Sequence, residues 1–136
     1  MKKTLLYIWQ LPQNLLGLLV IKATRAELST LFVNGDQPYY RSRLDHCSFG
    51  VCLGEYIIFG AYTASIIGWK HEAGHRLQSR MLGPLYLLVV GLPSVARNIW
   101  DRIAHRSWGV TRRANWYYRG YPENWANRLG GLKRYV

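Results

Sequence analysis

The stretch GWKHEAGHRLQSRMLGPLYLLVVGLPS, residues 68–94, decides how the rest of the chain is read. It sets His71, Glu72 and His75 in the pattern H-E-x-x-H and then runs into an apolar segment. On a helix, residues four apart lie about 40° from one another, so His71 and His75 project from one face and can close on a single ion. Glu72 sits beside that face. With four histidines in 136 residues, chance yields this pattern in only roughly 0.3% of shuffled sequences. A built metal site is therefore favoured over two polar residues on a solvated helix face.

Zinc accepts imidazole nitrogen, needs a third protein ligand and keeps an open position for water. It lowers the pKa of that water to about 7, and Glu72 is then placed to take the proton as general base. The third ligand must return to this helix from elsewhere. Upstream candidates are Asp45, His46 and Glu55; downstream ones are Asp101, His105 and Glu123. Glu123 is the strongest, because Asn127 lies four residues beyond it on the same predicted helix face. One of the two can bind the ion while the other accepts the Nδ1 hydrogen of a ligand histidine. The competing role for Glu123 is a helix-start carboxylate favoured by the helix dipole.

Working outward, a helix is expected over residues 63–80 with Thr63 as N-cap. Gly83-Pro84 ends it and opens a second helix over 84–105, bent at Pro93. Upstream, SFGVCLGEYIIFG, residues 48–60, has β-branched and aromatic residues around Gly54 and reads as a hairpin. Downstream, HRSWGVTRRANWYYRGY, residues 105–121, shows no helical period and reads as a long loop. Pro122 then opens a short helix over 122–130, closed by Gly130 and Gly131.

The composition pairs 49% hydrophobic residues with a net charge of +11, which points to an anionic partner and to apolar surface. Length alone indicates one domain over residues 1–136. Cys47 and Cys52 are too few for a disulfide framework and read as free strand residues. The first stretch, residues 1–22, carries Lys2 and Lys3, but Gln10, Pro12, Gln13 and Asn14 interrupt its apolar run and no small-x-small cleavage site follows. It is expected to be retained as an interfacial or re-entrant helix, since no stretch has the roughly 20 clean apolar residues of a simple span.

From Arg97 onward, nine Lys/Arg and eight Trp/Tyr stand against only Asp101 and Glu123. Arginine interleaved with aromatic rings suits single-stranded nucleic acid. It suits a layer of anionic lipid headgroups as well, and the neighbouring apolar segments favour the membrane. Tyr117, Tyr118, Tyr121 and His105 are possible donors to an oxyanion near the metal, but packing is the simpler role for each.

His71-Glu72 with His75, followed by Glu123 and Asn127, resembles the gluzincin arrangement of metallopeptidases, in which E-x-x-x-D on a later helix completes H-E-x-x-H. More closely, KHEAGHRLQSR, LGPLYLLVVGLPS and YPENWANRLGG resemble a group of small bacterial membrane-associated proteins with a peptidase motif. The likeness extends from Phe49 to Gly131 and includes IWQLPQNLLG near the start. It implies an α+β, mostly helical fold with a zincin-like active-site helix beside a short hairpin and apolar membrane-associated helices. The implied activity is zinc-dependent cleavage of a peptide bond at the bacterial inner membrane. The ligands would be His71, His75 and Glu123, with Glu72 as base and anionic lipid headgroups and a peptide or protein as partners. Asn127 departs from the pattern by replacing a carboxylate with an amide. Other readings are a membrane protein whose metal is structural, and a basic nucleic-acid-binding module.

Overall fold

The computed structural model describes residues 2–32, 36–44, 46 and 48–133. Ten elements follow in chain order: α1 (Lys3–Trp9), α2 (Leu11–Thr24), β1 (Glu27–Phe32), β2 (Asp36–Arg41), β3 (Gly50–Leu53), β4 (Tyr56–Phe59), α3 (Ile66–Leu82), α4 (Leu92–Ala104), α5 (Val110–Arg119) and α6 (Glu123–Leu129). The architecture is α+β and mostly helical, as expected. The strands form one sheet in the order β1-β2-β4-β3; β1/β2 and β3/β4 pair antiparallel, and β2/β4 pair parallel. The expected hairpin is β3–β4. Its turn needs Gly54, at φ 64°, because a Cβ there would fall 2.0 Å from the Asn14 side-chain oxygen.

Tyr39, Cys52, Ile57 and Phe59 form the buried apolar core of the sheet, and Trp69 and Ala73 lay α3 against it. Helix α6 in turn crosses α3 at Gly74, where a Cβ would lie 1.9 Å from the carbonyl oxygen of Ala126. Only a residue without a side chain lets the two backbones come so near. The sheet thus supports α3, and α3 supports α6.

Three expectations are corrected, and one hairpin is new. The N-cap of α3 is Ser65, whose Oγ accepts from the Gly68 N–H at 3.0 Å, while the Thr63 hydroxyl donates to the Phe49 carbonyl. The stretch expected as a loop contains α5, a ten-residue helix whose Trp116, Tyr117 and Tyr118 are half-buried. A second hairpin, β1–β2, was not foreseen. The stretch expected as one helix over 1–22 forms two, Lys3–Trp9 and Leu11–Thr24, bent by 86°, and the polar residues that break the apolar run account for the corner. Gln10, Gln13 and Asn14 are fully buried. Gln10 donates to Glu55 at 2.7 Å and accepts from Ser79 at 2.6 Å. Gln13 donates to Ser79 and to the Gly83 carbonyl, and Asn14 accepts the Glu55 N–H. Among the described residues no single helix is long and apolar enough to cross a membrane; by length and composition the bent pair α1–α2 meets that test only jointly.

The helix expected over 84–105 is continuous but changes pitch: a 3-10 turn at Gly83–Leu85, a π turn at Leu87–Gly91, then α4. Pro93 supplies the reason. Its ring clashes with the carbonyl four residues back and it has no N–H to offer that oxygen, so the turn opens. The carbonyl is that of Val89, and the Tyr121 hydroxyl donates to it at 2.6 Å. Cys52 is free and buried in β3, as expected; Cys47 lies outside the described residues.

Candidate metal centre

His71 and His75 sit one turn apart on α3, with perpendicular rings whose centroids are 4.8 Å apart. Glu123 opens α6, and its Oε2 lies 3.0 Å from His71 Nε2 and 3.1 Å from His75 Nε2. All three side chains are buried, and their nearest ligand atoms lie within 4.8 Å of one another. His71, His75 and Glu123 therefore form a group that can hold a metal ion.

The outer nitrogens decide what the inner ones offer. Asn127 directs its NH2 to the Tyr118 carbonyl at 3.2 Å, so its oxygen faces His71 Nδ1 at 2.7 Å. Gln78 directs its NH2 to the Pro122 carbonyl, so its oxygen faces His75 Nδ1 at 2.7 Å. An amide oxygen accepts only, hence both Nδ1 atoms carry hydrogen and both Nε2 atoms turn a lone pair inward. Two lone pairs and a carboxylate oxygen converge on one point and call for a cation or a proton. This donor set fits zinc, which bonds histidine nitrogen and carboxylate oxygen at about 2 Å.

In the metal-free chain a proton meets that need. Burial would depress the His71 pKa, but the Glu123 carboxylate on its Nε2, the charge of Glu72 and the Asn127 bond more than reverse this and raise it to about 9. Burial would likewise raise the Glu123 carboxyl, yet its bonds to the two histidines hold it far below its usual range. Glu72 is pushed up by burial against the pull of His71 and His75, in the direction that suits a general base. The second oxygen of Glu123 is held too: Ser94 donates to Oε1 at 2.5 Å and Tyr117 at 3.1 Å.

Glu72 lines two cavities that meet at His71, Gly50 and Tyr118. One, of about 370 Å³, is framed by Ser48, Thr63, Ser65 and Asn127. The other, of about 480 Å³, is apolar and framed by Leu16, Leu88, Leu92 and Val95. The strand β3, at the edge of the sheet, borders both.

Every residue assigned to the site from the sequence is brought together here. The alternative third ligands are engaged elsewhere: Asp101 with His105 and Arg113, Glu55 with Arg80 and Gln10. His46 is exposed, and Asp45 lies outside the described residues. Three partners were missed. Gln78 is three residues from His75, a helical neighbour whose spacing was readable. Ser94 and Tyr117 reach Glu123 from other helices and leave no local signal; from the sequence Tyr117 reads as an oxyanion donor or a packing residue. No protein-family model, curated protein or solved structure matches the chain.

Proposed function

We propose that the chain is a small membrane-associated, zinc-dependent peptidase, with His71, His75 and Glu123 holding the ion and Glu72 as base. The convergence of three electron-pair donors, each oriented by its own amide or hydroxyl partner, beside a buried carboxylate that lines both cavities carries this reading. Zinc would supply Lewis acidity at the point where Nε2 of both histidines and Oε2 of Glu123 meet. Asn127 and Gln78 fix the imidazole tautomers. Glu72 takes a proton from the attacking water and returns it to the departing amine, and an elongated chain can lie along β3 with its two sides in the two cavities. The amide at 127 does not disable the arrangement, since its oxygen accepts from His71 as a carboxylate oxygen would.

A metal held for stability alone is the second reading, favoured by the bonds from Ser94 and Tyr117 that tie α4 and α5 to Glu123. The nucleic-acid reading is less favoured, because arginines already cover two of the rings that could stack on bases: Arg112 lies 3.9 Å over Trp108 and Arg97 4.0 Å over Trp116. Zinc-loaded wild type and Glu72→Gln, compared on a peptide library with metal content measured for both, separate the first two. The peptidase reading expects cleavage by wild type only, with zinc retained in both. Absence of cleavage by the loaded wild type would reject it in favour of a structural ion.

A further inference from the structure

The apolar cavity beside Glu72 is not closed by the protein's own core. Its rim is made of side chains that are themselves strongly exposed: Leu88 at 62%, Leu92 at 61% and Val95 at 56%. Along α4 the exposed residues Leu92, Val95, Ile99 and Ile103 recur at i, i+3, i+7 and i+11, an unpartnered apolar stripe about 16 Å long that leads into the cavity. Leu16 of α2 closes the opposite rim. Helices α1 and α2 carry further exposed apolar side chains, Leu5, Ile8, Trp9, Leu15 and Leu19. Pro84 and α1 enclose a further apolar groove of about 560 Å³ there. The stripe on α4 and Leu16 of α2 thus face one another across the mouth of the site, on helices that both expose further apolar side chains.

Basic residues dominate the exposed charges on and beside these helices, and Glu27, just beyond α2, is paired with Arg43. Lys2, Lys3, Lys22, Arg25, Arg102 and Arg106 are exposed on or next to α1, α2 and α4. The one acidic residue in those three helices, Asp101, is buried and paired with Arg113. An apolar face edged by cations and lacking unpaired acids is complementary to hydrocarbon beneath anionic headgroups. We infer that this face docks on an anionic bilayer with the mouth of the metal site against it. The substrate is then a peptide held at the lipid surface, which places an apolar side chain in the cavity among Leu16, Leu88, Leu92 and Val95. The substrate class rests on the peptidase reading; the docking surface does not.

The test uses the full zinc-loaded chain with phosphatidylcholine vesicles, with and without phosphatidylglycerol, and two versions of one cleavable peptide, free or acylated to the vesicle. Ile99→Glu and Ile103→Gln alter the stripe outside the cavity, and thermal melts and zinc content check that both remain folded. Expected is binding to the anionic vesicles, weakened about tenfold or more by Ile99→Glu and less by Ile103→Gln. Cleavage of the acylated peptide should fall in parallel, and that of the free peptide should not change. Binding that is absent, or indifferent to both substitutions, overturns the proposal, as does a stable dimer in sedimentation that Ile99→Glu dissolves. Stripe-dependent binding with neither peptide cut would reject the peptidase reading and leave the docking surface standing.

Discussion

At the scale of single residues, the centre depends on which end of an amide points at an imidazole. Asn127 and Gln78 are oriented by the backbone carbonyls of Tyr118 and Pro122, and through them His71 and His75 are held as Nδ1–H tautomers. Asn127→Leu and Gln78→Leu should each lower zinc affinity by about 10–100-fold with the ligands themselves intact, as measured by competition with a chromophoric chelator. Asn127→Asp should retain the ion, because a carboxylate oxygen accepts the same hydrogen and raises ligand basicity. Equal affinity in all four proteins would show that the outer bonds do not orient the rings. The inner ligands were legible in the sequence, two because a helix fixes their spacing and Glu123 because it shares a helix face with Asn127. Ser94 was not, since its hydroxyl arrives from a helix that the sequence relates to Glu123 only through the folded chain.

At the scale of elements, the crossing of α3 and α6 brings His75 and Glu123 together. Gly74→Ala puts a methyl group into the Ala126 carbonyl, 1.9 Å away, and neither backbone can give way while both helices keep their other contacts. The expected cost is about 3 kcal/mol or more, at the upper end for overpacking, seen as a lower melting temperature together with weakened zinc binding. Melting and zinc affinity like those of wild type would place the crossing elsewhere. The hairpin turn is also tied to α3 by the ion pair Glu55–Arg80, at 2.6 Å. Burial would raise the Glu55 pKa, but the bonds from Arg80 and Gln10 lower it below the usual 4.5. A folded-state pKa below the unfolded one means stability present above pH 4.5 and lost as pH falls through the lowered value. Glu55→Gln should therefore flatten the acid limb of the stability profile, followed by denaturant melts between neutral and acidic pH. The hairpin β3–β4 was readable because its alternation is local. Helix α5 was not, because its arginines and rings satisfy one another only when wrapped against α4, as Arg97 over Trp116 and Asp101 with Arg113 show.

At the scale of the whole molecule, the centre joins parts of the chain that are 48 residues apart in sequence, His75 and Glu123. An ion bound there stabilises the folded state and has no equivalent site in the unfolded one. At a free zinc concentration 100 times its dissociation constant the gain is about 2.7 kcal/mol, which for a chain of this size raises the melting temperature by roughly 10 °C. Chelation should remove that increment from wild type. Glu123→Ala should melt at one temperature with and without zinc, and a zinc-dependent shift that survives this substitution would assign the ion to other residues. The α+β class was readable from the resemblance and from the local patterns that marked one hairpin among helices. The corner between α1 and α2 was not, because buried glutamine and asparagine look like solvent-facing residues until Ser79, Glu55 and the Gly83 carbonyl are seen to face them.

The π turn at Leu87–Gly91 holds one residue more than an α turn would, and so works as a phase adjuster between the two ends of its helix. Each residue advances a helix by about 100°, so the extra one sets which side of α4 carries Ser94 towards Glu123 and which carries Ile99 and Ile103 outward. Substitution within the turn leaves that timing intact. Wound at regular pitch with every residue kept, the segment would carry everything downstream round by about a quarter turn and take Ser94 off its carboxylate. The pitch of this one turn, opened by Pro93, thus decides which side chains the rest of the helix presents to the centre and which to the outside.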